Sequence, residues 1–196
     1  MSKVFCTHPD YCPRLLPIHF DDRKMRDEWQ DAVYAYARGE AETSGARCVV
    51  DFGCGSGYKL MKYFSGFETA GFELEPALSF LREEYPNRIW EEASFEGRFV
   101  GDLLICSDVI EHIVDPLPLM EKLKRGPLRK FVISTPALEV LAERGQSPRL
   151  GPPNNSSHVR EWTTLEFHSF VAMHLNVVDH VIFARQGTQL ICAELK

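Results

Sequence analysis

Cys48-Val49-Val50-Asp51-Phe52-Gly53-Cys54-Gly55-Ser56-Gly57-Tyr58-Lys59-Leu60 is the stretch whose reading decides the fold. An apolar run ends in an acid, three glycines follow at alternate positions, and a helical pattern begins at Tyr58. That order reads as strand, tight turn, helix. Glycine at Gly53, Gly55 and Gly57 admits positive φ and lets the backbone approach a ligand that any Cβ would push away. The turn therefore reads as a nucleotide-binding turn, with an ordinary strand-to-helix turn as the plainer alternative.

Two later stretches favour the first reading. About 20 residues on, Glu68-Thr69-Ala70-Gly71-Phe72-Glu73-Leu74-Glu75-Pro76 is a short strand ending in an acid, where the second strand of a Rossmann-like unit reaches ribose hydroxyls. Glu73 is the ribose candidate, followed by Leu74. Further along, Asp102-Leu103-Leu104-Ile105-Cys106-Ser107-Asp108-Val109-Ile110-Glu111-His112 reads as another strand and the loop after it. The G-x-G-x-G spacing behind Asp51 differs from the dinucleotide pattern G-x-G-x-x-G. It resembles motif I of the class I S-adenosylmethionine-dependent methyltransferases, in which D-V-I-E-H is also frequent after the fourth strand. A nicotinamide-dependent oxidoreductase is the competing reading, because Glu73 would serve there too. A third is a non-catalytic interaction module that keeps the cofactor fold, against which the intact glycines and acids weigh.

The resemblance implies an α/β, Rossmann-like fold: a seven-stranded mostly parallel sheet with an antiparallel last strand and helices on both faces. It implies S-adenosylmethionine as cofactor, held by Asp51, Gly53, Cys54, Gly55, Gly57, Glu73, Leu74, Glu92, Ser107 and Asp108. Glu92 enters because Arg88 to Glu92 reads as the third strand and the family often places an acid near the adenine amino group there. Two adjacent solvated acids, Glu91 and Glu92, are the plain alternative.

The 196 residues suit one compact unit from 46 to 196, preceded by an arm and cap helix over 1–45. Pro9, Pro13 and Pro17 argue for extended or turned backbone in the arm, which carries Tyr11 and His19. Met25, Trp29, Val33 and Tyr36 give a helix from Asp21 to Arg38 one apolar face, with Gly39 placed to end it. Pro76 opens a helix to about Tyr85, Pro116 one to Arg125, and Arg129 to Pro136 is the fifth strand. Ala142 to Ser157 is too rich in Gly, Pro and Asn for regular structure. Thr163 and Glu166 are spaced as a capping box for a helix to about Leu175, and Val177 to Ala184 with Thr188 to Leu195 reads as an antiparallel hairpin.

Net charge of −6 leaves the molecule without the basic field of a non-specific nucleic-acid binder. No stretch approaches the ~20 apolar residues of a membrane span, and no apolar leader opens the chain, so the cytoplasm is the expected location. Nothing in the pattern sets an oligomeric state. Of the six cysteines, Cys48, Cys106 and Cys192 fall in expected core strands and Cys54 in the glycine turn, as small buried hydrophobes. Cys6, His8 and Cys12 could supply zinc ligands but have no second half-site of usual spacing.

Methyl transfer from a sulfonium is an in-line displacement in which position supplies most of the acceleration. A hydroxyl acceptor must also lose a proton, and a histidine suits that task. His112, after the fourth strand, and His158, after the long loop, are the catalytic candidates. If the segment after strand four is helical, Asp108, Glu111 and His112 share a face. With His158 they resemble the E-x-x-E-H plus distant His of the metal-dependent small-RNA 2′-O-methyltransferases, whose H-x-x-E-W-T context is also similar to His158 to Thr163. The departure is Asp108, one methylene shorter than that family's Glu. The expectation from sequence is O-methylation of a small hydroxylated molecule or glycan without a metal. The alternative is RNA 2′-hydroxyl methylation with a cation held by Asp108, Glu111, His112 and His158.

Overall fold

The computed structural model describes residues 30–196. The cysteine and histidine set of Cys6, His8 and Cys12, the arm with Tyr11 and His19, and the helical spacing before Gln30 lie outside the described residues. The elements run α1 (Asp31–Ser44), β1 (Cys48–Phe52), α2 (Tyr58–Phe64), β2 (Glu68–Glu73), α3 (Ala77–Glu84), β3 (Ile89–Glu92) and β4 (Leu103–Ser107). A single 3₁₀ turn (Ile110–His112) precedes α4 (Leu117–Leu123), β5 (Lys130–Pro136), α5 (Leu138–Glu143), α6 (Thr164–His174), β6 (Asn176–Phe183) and β7 (Thr188–Glu194).

The strands form one seven-stranded sheet in the order β3-β2-β1-β4-β5-β7-β6. β1 pairs in parallel with β2 and β4, β2 with β3, and β4 with β5, whereas β7 runs antiparallel to both β5 and β6. The strand order reverses between β1 and β4, which makes the carboxyl ends of those two strands the ligand crevice of an open α/β sheet. The fold expected from the motifs is the fold observed.

Alternation along the strands sorts the core into two layers. Val50, Phe52, Leu104, Cys106, Phe131 and Ile133 face the cluster that holds Leu119 and Met120 of α4 and Phe167 and Val171 of α6. Val49, Leu103, Ile105 and Val132 face the other, with Val33 and Ala37 of α1, Leu60 and Phe64 of α2, and Leu78 and Leu81 of α3.

Two helix boundaries differ from the sequence reading. α1 continues through Gly39, where an added Cβ would meet nothing within 4 Å, and stops at Gly45, whose φ of 68° places it in the left-handed region. Glycine in mid-helix costs about 1 kcal/mol against alanine, and the turn that follows buries Ala41. The inward aromatic is Tyr34 rather than Tyr36, whose hydroxyl donates instead to Asp179 Oδ2 at 2.9 Å. The second difference is α5, inside the stretch between β5 and the long loop, where no helix was expected; it is one and a half turns long with no fully buried residue. The capping box at Thr163 is present in both directions, with Thr163 Oγ1 accepting from the Glu166 amide and Glu166 Oε2 accepting from the Thr163 amide. Cys54, Cys106 and Cys192 are buried free thiols as expected, but Cys48, at the open end of β1, is only half-buried. Among the described residues no helix is long and apolar enough to cross a membrane.

Candidate active site

Asp51 is fully buried near the carboxyl end of β1, and its Oδ2 accepts the Tyr34 hydroxyl at 2.9 Å. Its Oδ1 has no donor among the described residues. Burial raises its pKa to about 7, against the opposing hydrogen bond from Tyr34, with further upward pressure from Glu73 and relief from Lys59. Gly53, Gly55 and Gly57 all have positive φ. At Gly53 a Cβ would collide with the Val109 side chain, and at Gly57 it would come within 2.6 Å of Leu81 Cδ2. The first contact clamps the loop after β4 onto the turn after β1; the second seats the turn on α3. A Cβ at Gly55 would meet nothing within 4 Å, so there the backbone conformation alone, φ 57°, calls for glycine.

Glu73 closes the same turn. Its Oε2 accepts the Gly55 amide at 2.7 Å and its Oε1 the Leu74 amide at 2.9 Å. Glu92, its register partner on β3, is exposed at the strand end. Cys54 is buried beside Gly71, its thiol pushed well up by burial and then by Asp51, so it packs as a neutral hydrophobe.

Ser107 ends β4, its hydroxyl 2.8 Å from that of Ser134 on β5, while its carbonyl accepts Gln30 Nε2 at 3.3 Å. Asp108 follows at φ 54°, in the left-handed region. The segment after β4 is therefore not one helix: it turns at Asp108 and makes only the 3₁₀ turn that holds Glu111 and His112. Asp108 is drawn aside, accepting Gln30 Nε2 at Oδ2 (3.2 Å) and Ser134 Oγ at Oδ1 (3.3 Å). The expected face of Asp108, Glu111 and His112 does not form.

Glu111, His112 and His158 do meet: one ligand atom from each lies within 4.8 Å of the others. Glu111 is buried, its Oε2 accepts Thr135 Oγ1 at 3.1 Å, and its Oε1 has no donor among the described residues. Burial, and then the Asp108 carboxylate, raise its pKa well above the usual range. The imidazoles of His112 and His158 stand edge to face with centroids 4.9 Å apart. His112 Nδ1 lies 2.7 Å from the Ser157 carbonyl, which only an N–H can satisfy. His158 Nδ1 lies 3.0 Å from Glu161 Oε1, and its Nε2 is 3.0 Å from Asn155 Nδ2. The Val159 amide donates to the Glu111 carbonyl at 2.7 Å, so the end of the long loop is tied to the 3₁₀ turn by backbone.

A buried carboxylate oxygen with no donor among the described residues, beside two imidazoles whose Nδ1 positions are engaged, has the chemistry that could hold a cation. The donor set of one carboxylate and two imidazoles suits Mn²⁺, Fe²⁺, Co²⁺ or Zn²⁺ better than an all-oxygen Mg²⁺ site. The sequence reading gave no role to Tyr34, Gln30, Thr135, Asn155, Ser157 or Glu161, although Glu161 stands in the H-x-x-E-W-T stretch. Of these, Glu161 alone had a local signal, its place three residues after His158; the others are hydroxyl and amide side chains without a motif.

Comparison with known proteins follows the same geometry. Residues 19–185 match the family described as "Methyltransferase domain". A tRNA U34 carboxymethyltransferase of Campylobacter jejuni is 28% identical over 141 residues, 65% of this chain and 48% of the relative. The chain thus spans about half the length of the curated relatives it matches. Among solved structures, the small RNA methyltransferase HEN1 superposes with a TM-score of 0.65 at 21% identity, over 92% of this chain and 26% of that one. The N-methyltransferase NodS from Bradyrhizobium japonicum, in complex with S-adenosyl-l-homocysteine, superposes with a TM-score of 0.63 at 14% identity, over 90% and 93%. With the glycine turn, the strand order and the family match in agreement, the chain belongs to the S-adenosylmethionine-dependent methyltransferases of Rossmann-like fold.

Proposed function

We propose that the chain transfers the methyl group of S-adenosylmethionine to a hydroxyl of an RNA acceptor, with a divalent cation held by Glu111, His112 and His158. The observation that carries this reading is the meeting of those three residues around the donor-less Glu111 Oε1, at the carboxyl end of β4 and one loop from the glycine turn. A cation bound there would lower the pKa of a coordinated hydroxyl and hold its oxygen. His112 and His158 then act as ligands rather than as general bases. Asp51 and the Gly53–Gly57 turn would receive the methionine end of the cofactor, Glu73 the ribose, Glu92 the adenine edge, and Ser107 and Asp108 the wall between cofactor and acceptor. S-adenosylmethionine bound there would supply the methyl group, the acceptor hydroxyl would release its proton to solvent and the C–S electron pair would leave with S-adenosylhomocysteine, so the part left to these residues is alignment. RNA is favoured as acceptor because the relatives named above act on tRNA and on small RNA.

The second reading is O-methylation of a small hydroxylated molecule or glycan, favoured by the net charge of −6. Transfer of labelled methyl separates the two, with RNA oligonucleotides bearing a terminal 2′-hydroxyl or 2′-deoxy sugar, sugars and phenols as acceptors, each with Mn²⁺ or with chelator. Chelator-sensitive labelling of the 2′-hydroxyl RNA alone is the expected result. Labelling of sugars or phenols, indifferent to chelator, would give the second reading its place.

A further inference from the structure

The end of the long loop makes more contacts with the two histidines than packing requires, and together those contacts determine both tautomers. Asn155 Oδ1 accepts the Ser157 amide at 3.0 Å and the Ser157 hydroxyl at 2.7 Å, which fixes the orientation of its amide. Its Nδ2, the donor end, therefore faces His158 Nε2 at 3.0 Å, so that nitrogen carries the lone pair and Nδ1 carries the proton. Glu161 Oε1 accepts that proton at 3.0 Å, and Glu161 Oε2 is itself hydrogen-bonded by Ser147 Oγ. The Glu161 side chain is 4% exposed, so the bond is shielded from water. His112 reaches the same state through Ser157, whose carbonyl takes its Nδ1–H. Asn155 holds Ser157, and Ser157 holds His112, so one short segment governs both rings.

We propose that Asn155, Ser157 and Glu161 form a framework that sets both histidines in the Nδ1–H form, with Glu161 the positioning residue for His158 and the Asn155 amide competing with a cation for His158 Nε2. The proposal rests on the cation reading given above. Two consequences of opposite sign follow. Loss of the Glu161 acceptor frees the His158 ring and its tautomer, and weakens cation binding on the order of 10- to 100-fold, as for other partners behind a metal-binding histidine. Replacement of the Asn155 donor by an oxygen removes the competitor, and tightens cation binding by roughly 3- to 10-fold, the worth of one neutral hydrogen bond.

The test uses the full chain, with Mn²⁺ as the probe in titration calorimetry and ¹⁵N resonances of the histidine rings recorded without added metal. Glu161→Ala is expected to weaken Mn²⁺ binding while S-adenosylhomocysteine binding, which reports the fold, stays within about 2-fold. Asn155→Asp keeps an acceptor for Ser157 and takes the donor away from His158 Nε2; the oxygen set there draws the ring proton in the metal-free chain, and Mn²⁺, which displaces that proton to solvent and meets the added charge, is expected to bind more tightly. Asn154→Asp adds the same charge one residue away, where the side chain donates only to the Gln146 carbonyl, and is expected to leave affinity within about 2-fold. The wild-type ¹⁵N pattern is expected to show Nδ1 protonated on both rings. An Asn155→Asp chain no tighter than Asn154→Asp, or an Nε2–H form of His158 in a wild-type chain that does bind Mn²⁺, overturns this proposal alone. A wild-type chain that binds neither Mn²⁺ nor Co²⁺ but shows Nδ1–H on both rings overturns the cation reading and the competition with it.

Discussion

Asp51 and Glu111 are both buried carboxylates near the carboxyl edge of the sheet, each with one oxygen hydrogen-bonded to a hydroxyl and one without a donor among the described residues. They differ in the charges around them. Asp51 has Lys59 to offset the influence of Glu73, and its pKa rises only to about 7. Burial raises the Glu111 carboxyl well above its usual range, and Asp108 and then Glu161 add to that rise, opposed by the hydrogen bond from Thr135. Asp51 is offset in part by Lys59, whereas Glu111 has no such cation among the groups that shift it and stands beside two imidazoles instead. Under the proposed function, that contrast would separate a site for the ammonium of the cofactor from one for a metal ion.

The largest effect is expected from Glu111→Gln. The amide keeps an acceptor for Thr135 but removes the ionisable ligand, so methyl transfer should fall by on the order of 10³-fold, several kcal/mol of lost charge stabilisation. S-adenosylhomocysteine affinity measured by calorimetry should barely change, and the melting temperature should hold or rise, because a desolvated ionisable group has gone. Activity equal to wild type would erase the distinction between the two acids.

Asp51→Asn comes next, with a pH dependence of two opposite signs. A carboxyl whose folded pKa lies above its unfolded value of about 3.9 stabilises the fold fully below that value, and this contribution is lost as pH rises through about 7. Wild-type melting temperature should therefore decline between those limits more steeply than that of Asp51→Asn. Cofactor affinity should move the other way, rising as Asp51 ionises, and the variant should bind S-adenosylhomocysteine roughly 10- to 100-fold more weakly at pH 8 without the rise. A variant with the wild-type pH slope would place the titration elsewhere.

Glu73→Ala should weaken S-adenosylhomocysteine binding by about 1.5 kcal/mol or more, one charged hydrogen bond to a ribose hydroxyl, and leave Mn²⁺ binding untouched. Equal losses for both ligands would merge the two halves of the site. The smallest effect is expected from Thr163→Ala, which removes the hydroxyl that accepts the Glu166 amide but keeps the backbone amide that donates to Glu166, and should cost about 1 kcal/mol of stability in a denaturant titration, with no change in either binding constant.

How far each half was legible follows from how it is built. The cofactor half is a set of local patterns: Asp51 and its three glycines lie in one turn, and Glu73 ends the next strand. Its missing members, Tyr34 and Gln30, come from a helix whose inward face was misjudged by two residues at Tyr36. The acceptor half was read as a helical face, and that reading failed at Asp108, where a left-handed turn breaks the periodicity and Ser134 and Gln30 take the carboxylate.

By itself the amino-acid sequence determined the strand–turn–helix unit at Asp51, the order of alternating strands and helices, the hairpin at the end and the capping box at Thr163. All of these depend on contacts within a few residues, where side-chain period, glycine conformation and capping chemistry act directly. Tertiary structure alone decided that α1 runs past Gly39, that Asp108 leaves the cluster, and that His158 returns to Glu111 and His112 from a loop more than forty residues downstream. It also brought Asn155 and Glu161 to the two ring nitrogens of His158. The reason is physical: the cost of bringing distant segments together, and the donor each buried nitrogen receives, depend on the packed sheet and on the carbonyls and hydroxyls it presents, which no local period encodes.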